Sequence, residues 1–598
     1  MTRPPATRAG VDETVPADPP AVEQVGATRV EPARRLGSWR EWSWRERLPH
    51  AVEMLALLPL LGVLRLVMTA PLMPYQDYWD ALYRITNPDG SPHWRGFFTY
   101  QNEHPFTIPS VIFYLGARLG DGDNRTLGYY TVLVVAVSVV LLRRLLPRAW
   151  SPMARAWVTV AIGFVLFCPA GLWNFVRGMS GTAWLTANLF AIVAILLATR
   201  RWTVLAILAA CLAVLSYGTG FGAFVGIAVV AFVLRQGRWR VLTPLGLLAV
   251  TAVIWIATSH GGTSGGGISR NPALLASTLL SNLGLLWAPT VTEMGVLLGA
   301  AGLAVLAVAG GVVWRRRTVP APAGPDAGTM DAGTMDAGTM DAGTAHDDEL
   351  APWWGLAGYA VAAAALISLG RSETFGGVGV QSRYVSLPAL FWVAVSVVAL
   401  RVLLSRQLLM TQLTVIAGAV LVFYAQSIPL AGQAVAEEPA QQLLATAVRL
   451  DAADSFGARF QRPNEVVPRL KALGHYPFNG RYSLGCGGLT PGDTIDLAGA
   501  RPVSPTAARI DSDVLTVDSR YLRGWLRTTD QVRCVLLVDR AGKVVGGGTF
   551  GFSRPDVAAT TGRSRGVGWE AIAPPQQKDV RVVVGFDSGY RTVPAPTS

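Results

Sequence analysis

Along its first 430 residues the chain alternates long apolar runs with short loops that carry arginine. Runs such as Ala51 to Ala70, Val241 to Thr258 and Met294 to Trp314 hold almost no charge. They approach the roughly 20 helical residues that cross about 30 Å of hydrocarbon. The pattern predicts about eleven transmembrane helices, near residues 50–70, 126–147, 155–173, 183–199, 202–218, 220–234, 241–258, 294–314, 351–370, 385–404 and 408–429. Two more apolar stretches, Phe106 to Leu119 and Leu274 to Pro289, would reverse the sidedness of a neighbouring arginine cluster if they crossed, and are expected to be interfacial or re-entrant.

After residue 430 the long runs stop. Residues 431–510 read as an extracytoplasmic helical connector with an amphipathic stretch from Gln441 to Leu450. From residue 511 short β-rich runs alternate with turns, at Asp513–Val517, Tyr521–Arg527, Val532–Asp539, Lys543–Phe550, Gly566–Ile572 and Val580–Phe586, with Ala541-Gly542 as a hairpin turn. That spacing predicts a β-sandwich over 511–598. The expected fold class is therefore a polytopic α-helical membrane protein (49–430) with a carboxyl-terminal extracytoplasmic β-sandwich domain.

Charge sharpens this picture. The net charge is +12, but its placement argues against nucleic acid. Lysine occurs only at 471, 543 and 578, and arginines cluster at 143–155, 200–201, 235–240, 315–317 and 401–406, in every second loop. Cytoplasmic loops carry such excess, and an odd span count puts the two ends on opposite sides. The amino terminus is then cytoplasmic, with residues 1–48 a disordered Pro- and Arg-rich tail lacking signal-peptide character. The 71–125 loop, with its acidic excess, and the carboxyl-terminal domain lie outside. Within 315–350 the unit Asp-Ala-Gly-Thr recurs every five residues from 326, a period that suits neither helix nor strand and marks a cytosolic linker. Cys168 and Cys211 sit in apolar spans, whereas Cys486 and Cys534 fall in the soluble part, where an oxidising compartment permits a disulfide.

Candidate chemistry begins just after the first span. In Met73-Pro74-Tyr75-Gln76-Asp77-Tyr78-Trp79-Asp80, helical spacing puts Asp77 and Asp80 on one face, with Tyr78 and Trp79 towards the membrane interface. Two carboxylates there suit removal of a proton from a hydroxyl, or the holding of a divalent cation. Asn102, Glu103 and His104 follow in the same loop. On the same side lie Trp173 and Arg177, then Arg371, Arg383 and Tyr384. Arginine outside opposes the topological bias, and a guanidinium fork for phosphate is one reason to keep it there; snorkelling to lipid headgroups is the other.

One cytosolic tail, one span, a long first outer loop with early aspartate, about eleven helices and a terminal β-domain together resemble the GT-C class of polyprenyl-phosphate-sugar-dependent glycosyltransferases, in particular the arabinosyl- and mannosyltransferases of actinobacterial envelopes. The resemblance implies a sugar transferred with inversion from a polyprenyl-phosphate donor to a cell-envelope glycan or lipid acceptor in the plasma membrane. It places the base at Asp77 or Asp80, since Asp-Tyr-Trp-Asp stands where many members have adjacent acids. Arg383 and Arg371 would hold the leaving phosphate, and Glu103 and His104 acceptor hydroxyls or a metal. No cofactor is demanded, with Mg²⁺ or Mn²⁺ the open alternative. Trp525 and Trp569 of the β-domain would stack on carbohydrate, the alternative being a β-domain that caps the catalytic loop as a structural element. The rival readings are a transporter or flippase for a lipid-linked glycan or polymer, and a non-catalytic envelope scaffold.

Overall fold

The computed structural model describes residues 44–598 apart from Glu103, 259–268, Thr290, 319–347, 376–381, 404–408, 457–458, 559–566, Lys578 and 595–598. The first 43 residues of the predicted tail and the pentapeptide repeat thus lie outside the described residues.

Every predicted span carries a helix. In chain order these are α1 (Trp44–Glu53) and α2 (Leu57–Thr69), then α3 (Asp77–Ile85) and α4 (Thr107–Leu119) of the first loop, α5 (Asn124–Leu145), α6 (Pro152–Leu166), a single turn α7 (Trp173–Val176), α8 (Gly178–Thr199), α9 (Thr203–Ser216), α10 (Gly222–Val233), α11 (Arg238–Thr258), α12 (Pro272–Gly284), α13 (Thr292–Thr318), α14 (Ala351–Phe375), α15 (Ser386–Val402) and α16 (Leu409–Ala436). Among the described residues eight helices are long and apolar enough to cross a membrane. The apolar helices α9, α10 and α15 are shorter, at 14, 12 and 17 residues. Outward-facing side chains include Leu57, Leu58 and Leu61 on α2, Val204, Leu205 and Leu208 on α9, and Val253, Ile254 and Ile256 on α11. An exposed apolar surface of that extent suits lipid rather than water.

Hydrogen bonds fix which helix ends meet. Gln236 Nε2 donates to the Ala198 carbonyl at 3.1 Å, Arg317 Nη1 to Val233 at 3.1 Å, Trp353 Nε1 to Leu145 at 3.0 Å and Arg316 Nη2 to Val402 at 3.3 Å. The last turns of α5, α8, α10, α13 and α15 therefore share one end of the bundle, where the arginine clusters gather. The loop 71–125 stands at the other end. There Asn124, opening α5, donates to the carbonyls of Pro71 (3.2 Å) and Val176 (2.7 Å) and accepts from the Gly178 amide (3.2 Å). One buried amide thus ties the starts of α5 and α8 to the exit of α2. Beside them α12 folds back on α13 at glycine: a Cβ on Gly284 would lie 1.9 Å from the Gly295 carbonyl oxygen, so only a bare backbone permits this approach.

Helix α16 passes the predicted boundary at 430 and runs to Ala436; α17 (Glu438–Arg449) and α18 (Pro463–Leu473) follow. The expected sandwich is corrected: eight strands form one half-barrel sheet. With a two-residue ribbon in the first loop as β1 (Tyr100–Gln101) and β2 (His104–Pro105), they are β3 (Arg501–Pro502), β4 (Ala508–Leu515), β5 (Arg520–Leu526), β6 (Val532–Val538), β7 (Val544–Phe552), β8 (Gly568–Ala573), β9 (Arg581–Phe586) and β10 (Gly589–Thr592), ordered β3-β10-β9-β6-β7-β8-β5-β4. Period-two pattern cannot distinguish one curved sheet from two stacked ones. Pairing decides it, because β6 bonds both β7 and β9, and β8 bonds both β7 and β5. Bulges in β4, β6 and β7 bend the sheet. One face then closes over Val535, Leu537, Val584 and Trp569, and the other packs Leu443, Leu444, Ala447 and Val448 of α17. Trp569, expected to stack on carbohydrate, has no exposed surface; its ring lies over Gly524, where a Cβ would come within 2.6 Å. Trp525 is half-buried, with Arg527 5.1 Å from its ring centre. The disulfide Cys486–Cys534 is present, joining the connector to β6.

Candidate active site

Between the first loop, the bundle and the start of the connector lies a cavity of about 720 Å³. It gathers residues that are far apart in sequence: Asp77, Asn102, His104, Trp173, Arg177, Arg371 and Arg383 all line it. Of the other predicted site residues, Tyr384 is buried just behind the wall and accepts from Arg383 Nη2 at 3.3 Å. Asp80 does not line the cavity. Glu103 lies outside the described residues.

Two carboxylates on one short helix have separated. Asp77 occupies the first turn of α3 and is half-buried at the cavity wall. Asp80 is drawn off by Arg84 (3.4 Å), one helical turn on, and by Arg462 (3.9 Å). Arg84 also donates to the Tyr100 carbonyl, joining α3 to β1. Tyr78 and Trp79 do not face a membrane interface as predicted; both are fully buried against Phe460 and His475 of the connector. The amphipathic side of α3 was legible, but its partner is protein. Tyr78 Oη lies 3.0 Å from His475 Nε2, and His475 Nδ1 lies 2.6 Å from the Tyr476 carbonyl. A carbonyl only accepts, so Nδ1 carries the proton and Nε2 accepts from the tyrosine. Burial holds this imidazole neutral, its pKa lowered to about 4. On the other side of the site, Gln441 Nε2 donates to the carbonyls of Met73 and Pro74 just before Asp77. The segment carrying Asp77 is thus held from both the bundle and the connector.

Burial raises the Asp77 carboxyl above its ordinary pKa; Arg383 and Arg371 oppose the shift and the Asp80 charge adds to it. Arg383 is fixed through its own carbonyl, which accepts from Asn174 Nδ2 at 2.8 Å. Arg177 lies 3.4 Å over the Trp173 ring and 4.7 Å from Tyr75, and pairs with Glu437 at 2.5 Å. A run of rings leads along the wall from His104 to Tyr217 (4.0 Å between centres) and Trp184 (4.2 Å), and behind it to Tyr384 (4.5 Å). A Cβ on Gly218 would meet His104 Nδ1 at 2.7 Å, so the glycine leaves the ring its place. Trp184, Tyr217 and Gln433 are wall residues that sequence reasoning passed over, and Tyr75 and Gln101, in the same runs as Asp77 and Asn102, were given no role. Trp184 and Tyr217 read there as part of apolar spans; the Gly218-Thr219-Gly220 break after Tyr217 was the available signal.

Four buried atoms of the wall, Tyr75 Oη, Gln101 Oε1, Arg177 Nε and Arg383 Nε, have no hydrogen-bond partner among the described residues. Buried polar atoms are costly to leave so, and a polar ligand would satisfy them. Among the described residues no three His, Cys, Asp or Glu converge to hold a metal ion. No family model matches the chain, and no curated protein matches it.

Proposed function

We propose that the chain is a membrane glycosyltransferase of GT-C type that moves a sugar from a polyprenyl-phosphate donor to an extracytoplasmic glycan or lipid acceptor. The observation that carries this reading is one half-buried carboxylate, Asp77, set in a ring-lined cavity with three guanidiniums at one end of an apolar bundle. Each part has a task in such a transfer. Asp77 takes the proton as the acceptor hydroxyl attacks the anomeric carbon, and its raised pKa makes it a better base than a solvated aspartate. The bond from that carbon to the phosphate oxygen breaks with its electron pair going to the polyprenyl phosphate, which inverts the centre. Arg383 and Arg371 stabilise the departing charge from fixed positions. Tyr217, Trp184 and Trp173 offer apolar faces to sugar rings, and Tyr75 and Gln101 offer hydrogen bonds to hydroxyls.

In this reading all eleven apolar helices cross, the arginine-rich end is cytoplasmic, and cavity and β-domain lie outside. The test is transfer from radiolabelled polyprenyl-phosphate sugars by purified full-length protein. Asp77→Asn should lower the rate about 10²–10⁴-fold, and Asp80→Asn should leave it within roughly tenfold. Full activity of Asp77→Asn would remove the proposed base. If the wild type transfers no sugar but moves lipid-linked glycan across liposomes, the transporter reading replaces this one.

A further inference from the structure

We propose that an open groove at the arginine-rich end of the bundle, between the starts of α9 and α11, binds the headgroup of one anionic phospholipid. The groove has a volume of about 620 Å³ and is walled by Arg201, Trp202, Thr203, Trp239, Arg240 and Thr243. Two further guanidiniums flank it, Arg200 at 5.7 Å from the Trp202 ring centre and Arg238 at 5.5 Å from that of Trp239. The two indoles are 51% and 70% exposed.

Among the described residues this cluster has no acidic partner, in contrast to Arg143 and Arg317 at the same end. Arg143 forms a two-pronged bond to Glu53 at 2.8 Å, and Arg317 pairs with Asp348 at 3.3 Å. Between Asp123 and Glu293 the sequence contains no Asp or Glu. Arg200, Arg201, Arg238 and Arg240 form no ion pair among the described residues. Four guanidiniums around one groove repel one another, and an anion bridging Arg201 and Arg240 relieves that repulsion. Their planar forks match phosphate oxygens in pairs, and the hydroxyls of Thr203 and Thr243 add donors. The apolar residues Val204 and Leu205 complete the lining, and Leu208 continues the exposed stripe one turn further along α9. A charged rim above an apolar strip fits a headgroup with its acyl chain, and basic pockets between helix ends take acidic lipids for this reason. Free phosphate would use only the rim.

The test is native mass spectrometry of the full-length protein from phosphatidylcholine nanodiscs doped with phosphatidylglycerol, together with its thermal midpoint. The wild type should retain one phosphatidylglycerol and be stabilised by it, but not by equal inorganic phosphate. Arg201→Gln/Arg240→Gln should bind roughly thirtyfold more weakly, while Arg581→Gln, an exposed arginine of β9, should bind as the wild type does. Equal retention by wild type and double variant, equal retention of phosphatidylcholine, or an equal shift with inorganic phosphate would each overturn the proposal. Should the double variant not fold, photo-crosslinkable phosphatidylglycerol on the wild type must label 200–205 or 238–243; labelling only elsewhere has the same negative force. None of these readouts involves sugar transfer.

Discussion

Arginine stands at both ends of the helix bundle, in two different settings. At one end Arg143, Arg200, Arg201, Arg238, Arg240 and Arg317 sit on short loops and helix ends, against solvent, one or two carboxylates and the last carbonyls of neighbouring helices. At the other, Arg177, Arg371 and Arg383 line a cavity, stacked on rings or facing a half-buried carboxylate. The first set lies where helices end, a position that local sequence fixes. The second needs neighbours contributed by α3, α7, α14 and the connector, so its setting is a tertiary product. The same side chain stands at helix ends in one place and lines a cavity in the other.

The sharpest break of this comparison is to remove one guanidinium from each end. Arg383→Met should lower kcat/KM for transfer about 10²–10³-fold, and Arg143→Met should change it less than twofold; equal losses would mean that the two ends do not differ in kind. A second measurement uses the cavity-end charge on Asp77. In the proposed transfer Asp77 acts as the carboxylate, so activity should fall as pH drops through a pKa above the ordinary aspartate value, and Arg383 holds that pKa down. The residual activity of Arg383→Met should therefore lose its acid limb at higher pH than the wild type does; an unmoved limb would dissociate Arg383 from Asp77.

The cavity end also depends on the connector, whose Gln441 holds the carbonyls just before Asp77 and whose His475 holds Tyr78. Cys534→Ser opens a bond that closes 48 residues of chain and should cost roughly 2–4 kcal/mol of carboxyl-terminal domain stability, read as a lower thermal midpoint that reductant reproduces in the wild type. Smaller still is Tyr78→Phe, which leaves buried His475 Nε2 unpaired and should cost about 1–3 kcal/mol. His475 adds a pH dependence: its folded pKa, about 4, lies below the ordinary 6.5. Between those values the unfolded chain binds the extra proton, so stability is lost as pH falls through that window. A midpoint that stays flat from pH 6.5 to 4 in every probe of this domain would remove His475 from that role.

Much of the helical frame was legible because hydrophobic length and arginine spacing are local signals. The limits of α8 and α16 shifted by five to seven residues, since apolar loops such as Gly178–Thr182 and the stretch Leu430–Ala436 continue a helix that hydropathy alone would end. The site was partly legible. Asp77, Asn102, His104, Trp173, Arg177, Arg371 and Arg383 drew attention as polar groups beside aromatics, and the fold brings them to one wall. Tyr217 and Trp184 stayed hidden because an aromatic residue in an apolar span looks the same whether it faces lipid, core or cavity. Tyr78, Trp79 and Trp569 were misplaced for the same reason: a large ring beside polar residues suits an exposed surface and a domain interface equally well.

The sequence by itself determined the apolar helices, the arginine-rich loops, the change to short strands in the carboxyl-terminal part and the pair of cysteines able to bridge, because each follows from composition over a few neighbouring residues. Only the tertiary structure decided that the strands form one sheet and that Asp77, not Asp80, faces the cavity. Both outcomes rest on partners outside the local window, tens of residues away in the sheet and hundreds away at the site. β6 must choose between β7 and β9 and takes both, and Asp80 is claimed by Arg84 and Arg462 while Asp77 is left facing Arg371 and Arg383.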